Sequence, residues 1–182
     1  MALAEQSQAA FQAAVLRGRC FVGGTAASGV APATAIGTTA AFTIYNPKGS
    51  GVNLVLWKAT CGYLSGTLGA GTVHWVANTD ASAAVVTGTA ITAVNCLVGS
   101  GYAAQGKPLT TATLPATPTI MRPAFSLGAS LATTAAAPWQ VIDHVNGEIV
   151  VPPGMAVSLE GTTAAGTTPL VLYGLVWEEA PL

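Results

Sequence analysis

The chain has 182 residues and a formal net charge of −1; only 7% of the residues are charged, while 51% are hydrophobic and 21 are glycine. That length predicts one domain with its own core, and the scattered basic residues Arg17, Arg19, Lys48, Lys58, Lys107 and Arg122 argue against nucleic-acid binding, which needs a basic patch or stripe. Gly, Thr, Asn or Pro breaks every apolar run short of the ~20 residues of a membrane helix, and recurrent Val, Ile, Leu, Trp and Tyr argue against disorder.

Residues 3–17 (LAEQSQAAFQAAVLR) predict the one helix. Ala, Gln, Leu and Glu favour it, Phe11, Ala14 and Val15 with Leu3 and Ala10 make a modest apolar stripe, and Gly18 stops it. Ahead of a β body it serves as a lid on one sheet or as an arm on a neighbour. The chain therefore divides into a helical arm, 1–18, and a β domain, 19–182. Glu5, Gln6, Gln8 and Gln12 interrupt any secretory signal core, so none is expected.

Strand signals then recur between turn clusters: Arg19–Val22, Ala41–Tyr45, Val52–Thr60, Tyr63–Leu64, Thr72–Ala77, Cys96–Val98, Ile120–Met121, Ala124–Leu127, Trp139–Asp143 and Glu148–Val151. Loops are expected around 24–38, 80–93, 103–118 and 129–137. In Met155–Glu160, Met155, Val157 and Leu159 alternate with Ala156, Ser158 and Glu160, the period of a half-buried antiparallel strand. Leu170–Glu178 is apolar on both faces and predicts a strand covered on both. These last two runs are expected to pair as a hairpin. Many short strands without helical crossovers predict an all-β fold, an antiparallel β-sandwich of jelly-roll type with a short N-terminal helix.

The chemistry-bearing motifs are sparse. Gly99-Ser100-Gly101-Tyr102-Ala103-Ala104 has the spacing of a dinucleotide loop, which works only where a helix begins at its end and presents amides to a pyrophosphate. Gly106 and Pro108 block that helix, so a plain glycine loop is expected. His74 and His144 are the two histidines; a metal would need a further ligand such as Asp80 or Glu148, without any close pair to anchor it. Each is read as a hydrogen-bonded structural residue. Glu178 and Glu179 are adjacent and point to opposite faces of a strand, which rules out an acid/base pair. Asp143 and Glu148 flank a turn at Val145-Asn146-Gly147 and are expected to solvate it. Cys20, Cys61 and Cys96 lack metal or redox spacing and read as buried small hydrophobes in a reducing compartment. Trp57, Trp75, Trp139, Trp177, Tyr45, Tyr63, Tyr102 and Tyr173 include possible sugar platforms, but their place within β-runs makes core or interface the default. The expectation is a non-enzyme with no catalytic, cofactor or metal residues.

Two segments carry a family resemblance. Phe42–Leu54 with its Asn46-Pro47-Lys48-Gly49-Ser50-Gly51 turn, continuing through Tyr63–Gly71, and the closing Val151-Pro152-Pro153-Gly154, strand, Thr/Gly loop and strand ending Trp177-Glu178-Glu179, resemble virion structural proteins of tailed bacteriophages. The resemblance implies a head decoration (cement) protein of the capsid, located in the virion after assembly in the host cytoplasm. Its implied partners are copies of itself, as a homotrimer, and the major capsid protein. A surface with so little charge suits a chain packed against others rather than a free monomer. The alternative reading is a fibre, spike or carbohydrate-binding module for host recognition.

Overall fold

The computed structural model describes residues 2–79, 86–128, 140–163 and 166–182. The chain opens with helix α1 (Ala2–Leu16). Gly18 ends it with φ +68°, donating its N–H to Val15 O while Arg19 N–H reaches back to Ala14 O. This paired return satisfies the last carbonyls, and the left-handed residue it requires favours glycine.

Twelve strands follow among the described residues: β1 (Cys20–Gly24), β2 (Thr39–Tyr45), β3 (Val52–Ser65), β4 (Gly71–Asn78), β5 (Thr87–Ala90), β6 (Val94–Asn95), β7 (Lys107–Thr113), β8 (Thr119–Leu127), β9 (Gln140–His144), β10 (Val150–Val151), β11 (Ala156–Thr163) and β12 (Leu170–Pro181). They form two antiparallel sheets. Sheet A has the order β10-β3-β12-β1-β6, with β9 pairing β3 beyond β10; sheet B has the order β5-β7-β2-β11-β4-β8. The residues between β4 and β8 supply β5, β6 and β7, which extend sheet A beyond β1 and sheet B beyond β2.

The sheets face each other across one core. Sheet A contributes Leu54, Leu56, Ala59 and Cys61 from β3 and Val171, Tyr173, Leu175 and Trp177 from β12. Phe42, Ile44, Val73, Trp75, Val157 and Leu159 of sheet B meet them, and the Phe42 and Tyr173 rings lie 6.0 Å apart. Burying such side chains contributes about 1.5–3 kcal/mol each before the entropic cost of ordering the chain.

Several expectations change. The predicted hairpin does not form: β11 lies in sheet B and β12 in sheet A, so the Thr/Gly loop passes from one sheet to the other. Val52–Thr60 and Tyr63–Leu64 are one strand, because the register with β12 shifts between Val176 and Trp177 and absorbs the break in alternation. Leu54 and Leu56 point inward before this bulge, Ala59 and Cys61 after it, and Trp57 is turned out. Such an extra residue is the signature of a β-bulge. Cys96–Val98 is a turn, not a strand, and β5 and β7 lie inside expected loops. Their Thr, Gly, Pro and Lys residues carry little apolar signal; pairing with β2 makes β7 a strand. The expected strand start at Trp139 lies outside the described residues, as does the expected loop at 129–137.

β11 is not half-buried. Ala156, Val157, Ser158, Leu159 and Glu160 are all buried. The connection from β7 to β8 must pass from one side of sheet B to the other; it is pinned by Leu114 N–H to Thr38 O and by Asn78 Nδ2 donating to Ala116 O. Leu114 is buried there in a second apolar cluster with Tyr45, Val86, Leu109 and Ala156, apart from the inter-sheet core. The chain thus roofs the outer face of sheet B with its own connections. β12 differs: Val171, Tyr173, Leu175 and Trp177 are buried, but Leu170, Leu172 and Val176 on its other face are only half-buried. Helix α1 lies over part of that face, with the Phe11 ring 5.2 Å from that of Trp57.

Candidate functional site

The densest charged cluster joins the two sheets. Arg122, on β8, places Nη1 3.0 Å from Asp143 Oδ2 on β9, and its Nε lies 3.3 Å from Glu148 Oε2 without hydrogen-bond geometry. The Trp75 indole donates to Asp143 Oδ2 from the core side at 2.6 Å. Asp143 and Glu148 therefore clamp an arginine rather than solvate a turn. The sequence pattern hid this because the two strands are neighbours only across the gap between the sheets.

Glu178 and Glu179 do point to opposite faces. Glu178 Oε2 accepts the Trp57 indole N–H at 3.3 Å. Glu179 Oε1 accepts backbone N–H groups of Gln105 and Gly106, each at 2.8 Å, and the Trp177 indole N–H at 3.3 Å. Each carboxylate holds an indole in place. The glycine loop leads into strand β7, not a helix; Gly99 has φ +89°, and a Cβ on Gly18 would meet the Tyr102 ring at 2.8 Å. The loop is a packing element with no row of helix amides to hold a phosphate.

Cys20 and Cys61 are fully buried and Cys96 partly so; all three are free thiols. Burial pushes Cys61 up to about 12. Cys20 is pushed up to about 12 by burial first, then by Glu178 and Cys96. Both stay protonated near neutral pH, which removes their nucleophilic form.

His74 and His144 lie on different sheets, β4 and β9. Among the described residues no three His, Cys, Asp or Glu side chains converge as metal ligands; Glu148 faces Arg122, and Asp80 lies outside the described residues. His144 lines a cavity of about 440 Å³ under α1, with Phe11, Trp57, Lys58, Asn146 and Val176. His74 Nε2 lies 3.2 Å from Thr162 Oγ1. Opposite it in register is Glu160, which the alternation of its strand placed toward solvent. Glu160 is instead wholly buried, with Oε2 accepting the Gly37 N–H at 2.8 Å. Burial pushes its carboxyl up to about 7, against the opposing pull of that N–H.

Of the aromatic candidates, Trp75, Trp177, Tyr45 and Tyr173 are core residues. Trp57 and Tyr63 are half-buried, and Tyr63 donates to Gly66 O. Tyr102 is 70% exposed and lines a second cavity, of about 510 Å³, with Arg17, Arg19, Phe21 and Glu179. Trp139 lies outside the described residues. Leu16, Val22, Val94, Leu97 and Val98 are exposed as well. The pairing of Val22 with Val94 and the bonds from Cys96 N–H to Cys20 O and from Asn95 Nδ2 to Gly18 O draw these segments together at the β6 edge of sheet A. No family model matches the chain, and no curated protein or solved structure matches it.

Proposed function

We propose that this chain is a non-catalytic structural subunit with jelly-roll connectivity that assembles with copies of itself and with other virion proteins, in the manner of a capsid decoration protein. The strand order supports the connectivity. With β5, β6 and β7 set aside as an insertion, the order β1-β12-β3-β9/β10 faces β2-β11-β4-β8, the interleaving of two Greek keys.

The observation that carries the assembly reading is the apolar cluster at the β6 edge. Leu16, Val22, Val94, Leu97, Val98 and Tyr102 are half of the large hydrophobic side chains exposed among the described residues, on a chain with 7% charge. Exposed apolar side chains concentrated in segments that meet at one sheet edge suit an interaction site. A closed homotrimer is the stoichiometry proposed, resting on the family resemblance of the sequence. Analytical ultracentrifugation at low micromolar concentration is the test: a trimer is expected, dissociated by Val98→Asp together with Tyr102→Asp. A folded wild-type monomer overturns the oligomer, and absence from purified particles by mass spectrometry overturns the virion role.

The second reading, a saccharide-binding module, has the cavity under α1 in its favour. Trp57, Lys58, His144 and Asn146 there combine an aromatic ring with polar groups. Phe11 already stands against the Trp57 ring, which disfavours sugar stacking. Glycan binding lost on Trp57→Ala would replace the assembly reading with this one.

A further inference from the structure

We propose that Cys20 and Cys96 form a redox site, a pair of thiols that a small-molecule disulfide oxidises to one cross-strand disulfide, stapling β6 to β1. The site does not rest on the assembly reading. The β1–β6 register runs from Val22 opposite Val94 to Phe21 opposite Asn95. One step further it sets Cys96 opposite Cys20, where the Cys96 N–H donates to Cys20 O at 2.8 Å. Hydrogen-bonded partners across antiparallel strands hold their Cα atoms about 5.5 Å apart, with both side chains on one face. A disulfide spans Cα atoms about 4.4–6.8 Å apart, so the backbone already stands where the bond needs it.

Both thiols belong to the outer face of sheet A. Phe21 turns inward, its ring 6.0 Å from that of Trp177, and alternation along the strand sends Cys20 the other way. The partner of Cys20 on β12 is Glu178, whose carboxylate takes the indole N–H of the outward-turned Trp57. Asn95 fixes the approach of Cys96: its Nδ2 donates to Gly18 O at 2.7 Å and its Oδ1 accepts the Leu97 N–H at 2.8 Å. Cys96 is therefore bracketed by hydrogen bonds on either side of its side chain. Cys61 has no cysteine within reach along its strands. It lies in the inter-sheet core, on the opposite face of sheet A, with Tyr173 and Val141 as its register partners.

Cys96 is half-buried and Cys20 wholly buried, so Cys96 meets the oxidant first. Burial raises the Cys96 thiol, and the Lys58 ammonium pulls it back down. The Cys96 thiolate attacks one sulfur of the small disulfide, whose S–S bond breaks, and the departing thiolate takes up the proton that Cys96 gave to solvent. The Cys20 thiol then gives up its proton, its Sγ attacks the Cys96 sulfur, and the mixed bond breaks to release the second small thiol. Two protein thiols lose two electrons, and the oxidant gains them as two thiols. Cys20 is the slower partner, because burial first, then Glu178 and Cys96, hold its proton. Closeness rather than acidity carries this second step, and the charge on Cys96 is gone once its sulfur is bonded. β6 is only two residues long, so the bond adds a covalent tether where backbone pairing is short.

The experiment exposes the full chain to oxidised glutathione at mildly alkaline pH, blocks the remaining thiols in denaturant, and reads the intact mass and a chymotryptic peptide map. The expected result is the loss of two hydrogens, one blocked thiol rather than three, and a linked peptide pair joining Cys20 to Cys96. The urea midpoint of the oxidised chain should rise above that of the reduced chain, because the bond closes a long loop in the unfolded state. Three blocked thiols, a glutathione adduct that persists on Cys96, a disulfide-linked dimer, or a link through Cys61 each overturn the site. A lowered or unmoved midpoint overturns the fit of the folded backbone to the bond. Cys61→Ala should leave the link intact, and Cys96→Ser should leave Cys20 open to blocking. The wild-type peptide map decides alone should either variant fail to fold.

Discussion

The outer faces of the two sheets are closed by different means. On sheet B the roof consists of connections anchored at both ends in the fold, and beneath it lie polar groups that are wholly buried: Thr43 and Ser158, bonded to each other at 2.8 Å, and Glu160. On sheet A the cover is α1, which ends at Gly18 and rests with Phe11 on Trp57 above a cavity of about 440 Å³. Beyond the helix the same face leaves Val22, Val94 and Ile142 exposed. A connection running between strands cannot leave without disturbing the strands it joins, whereas a helix seated on few side-chain contacts over a cavity opens locally at lower cost. The first face keeps polar groups buried under its own connections, and the second leaves apolar side chains exposed beside its helix.

The largest effect belongs to the core beneath both faces. Trp75→Ala removes a buried indole and the N–H that holds Asp143, and should cost about 3–5 kcal/mol, read as a lower urea midpoint. A loss under 1 kcal/mol would mean that the sheets are held mainly elsewhere.

Glu160→Ala comes next, since it strands the Gly37 N–H under the roof, at about 1–3 kcal/mol. Its penalty should depend on pH. Glu160 titrates near 7 when folded against an ordinary 4.5, so the folded state binds the proton more tightly than the unfolded chain. The wild-type stabilisation from that proton is complete below about 4.5 and lost as pH rises through about 7. The variant lacks this loss, so denaturation at pH 5.5 should show a larger deficit than at pH 8.5. An equal deficit at both would place the Glu160 side chain in water.

Deleting residues 2–17 sharpens the other half of the comparison. It removes the Phe11 contact and buried Ala14, at about 2 kcal/mol. The β circular dichroism should persist, Trp57 emission should shift to the red, and self-association should weaken. Collapse of the β signal would make the helix as integral as the roof of sheet B. The smallest effect is expected from Arg122→Met, about 1 kcal/mol or less for a partly exposed ion pair. High salt should narrow the gap between wild type and variant, because screening weakens the pair in the wild type.

The backbone plan was legible where local chemistry dominates. The helix and its glycine stop were readable because good helix formers run into a glycine, the residue that adopts φ +68° at least cost. β2, β4, β8, β9, β11 and β12 were readable in large part, since apolar residues recur there at a strand's spacing. β5 and β7 were not, because their polar and small residues become strands only by pairing with a neighbour already in place. The partners of charged groups were equally hidden. Arg122 meets Asp143 across the gap between sheets, and Glu179 serves Gln105 and Gly106 from 74 and 73 residues away.

By itself, then, the sequence determined that this chain is mostly β with one leading helix, because hydrophobic period and turn chemistry act over a few residues. Only the tertiary structure decided that β11 and β12 part into different sheets, that Trp57 turns outward at a bulge, and that Glu160 is roofed over. Each of those depends on which distant strand lies alongside, and a period of two specifies two faces without saying what will cover either of them.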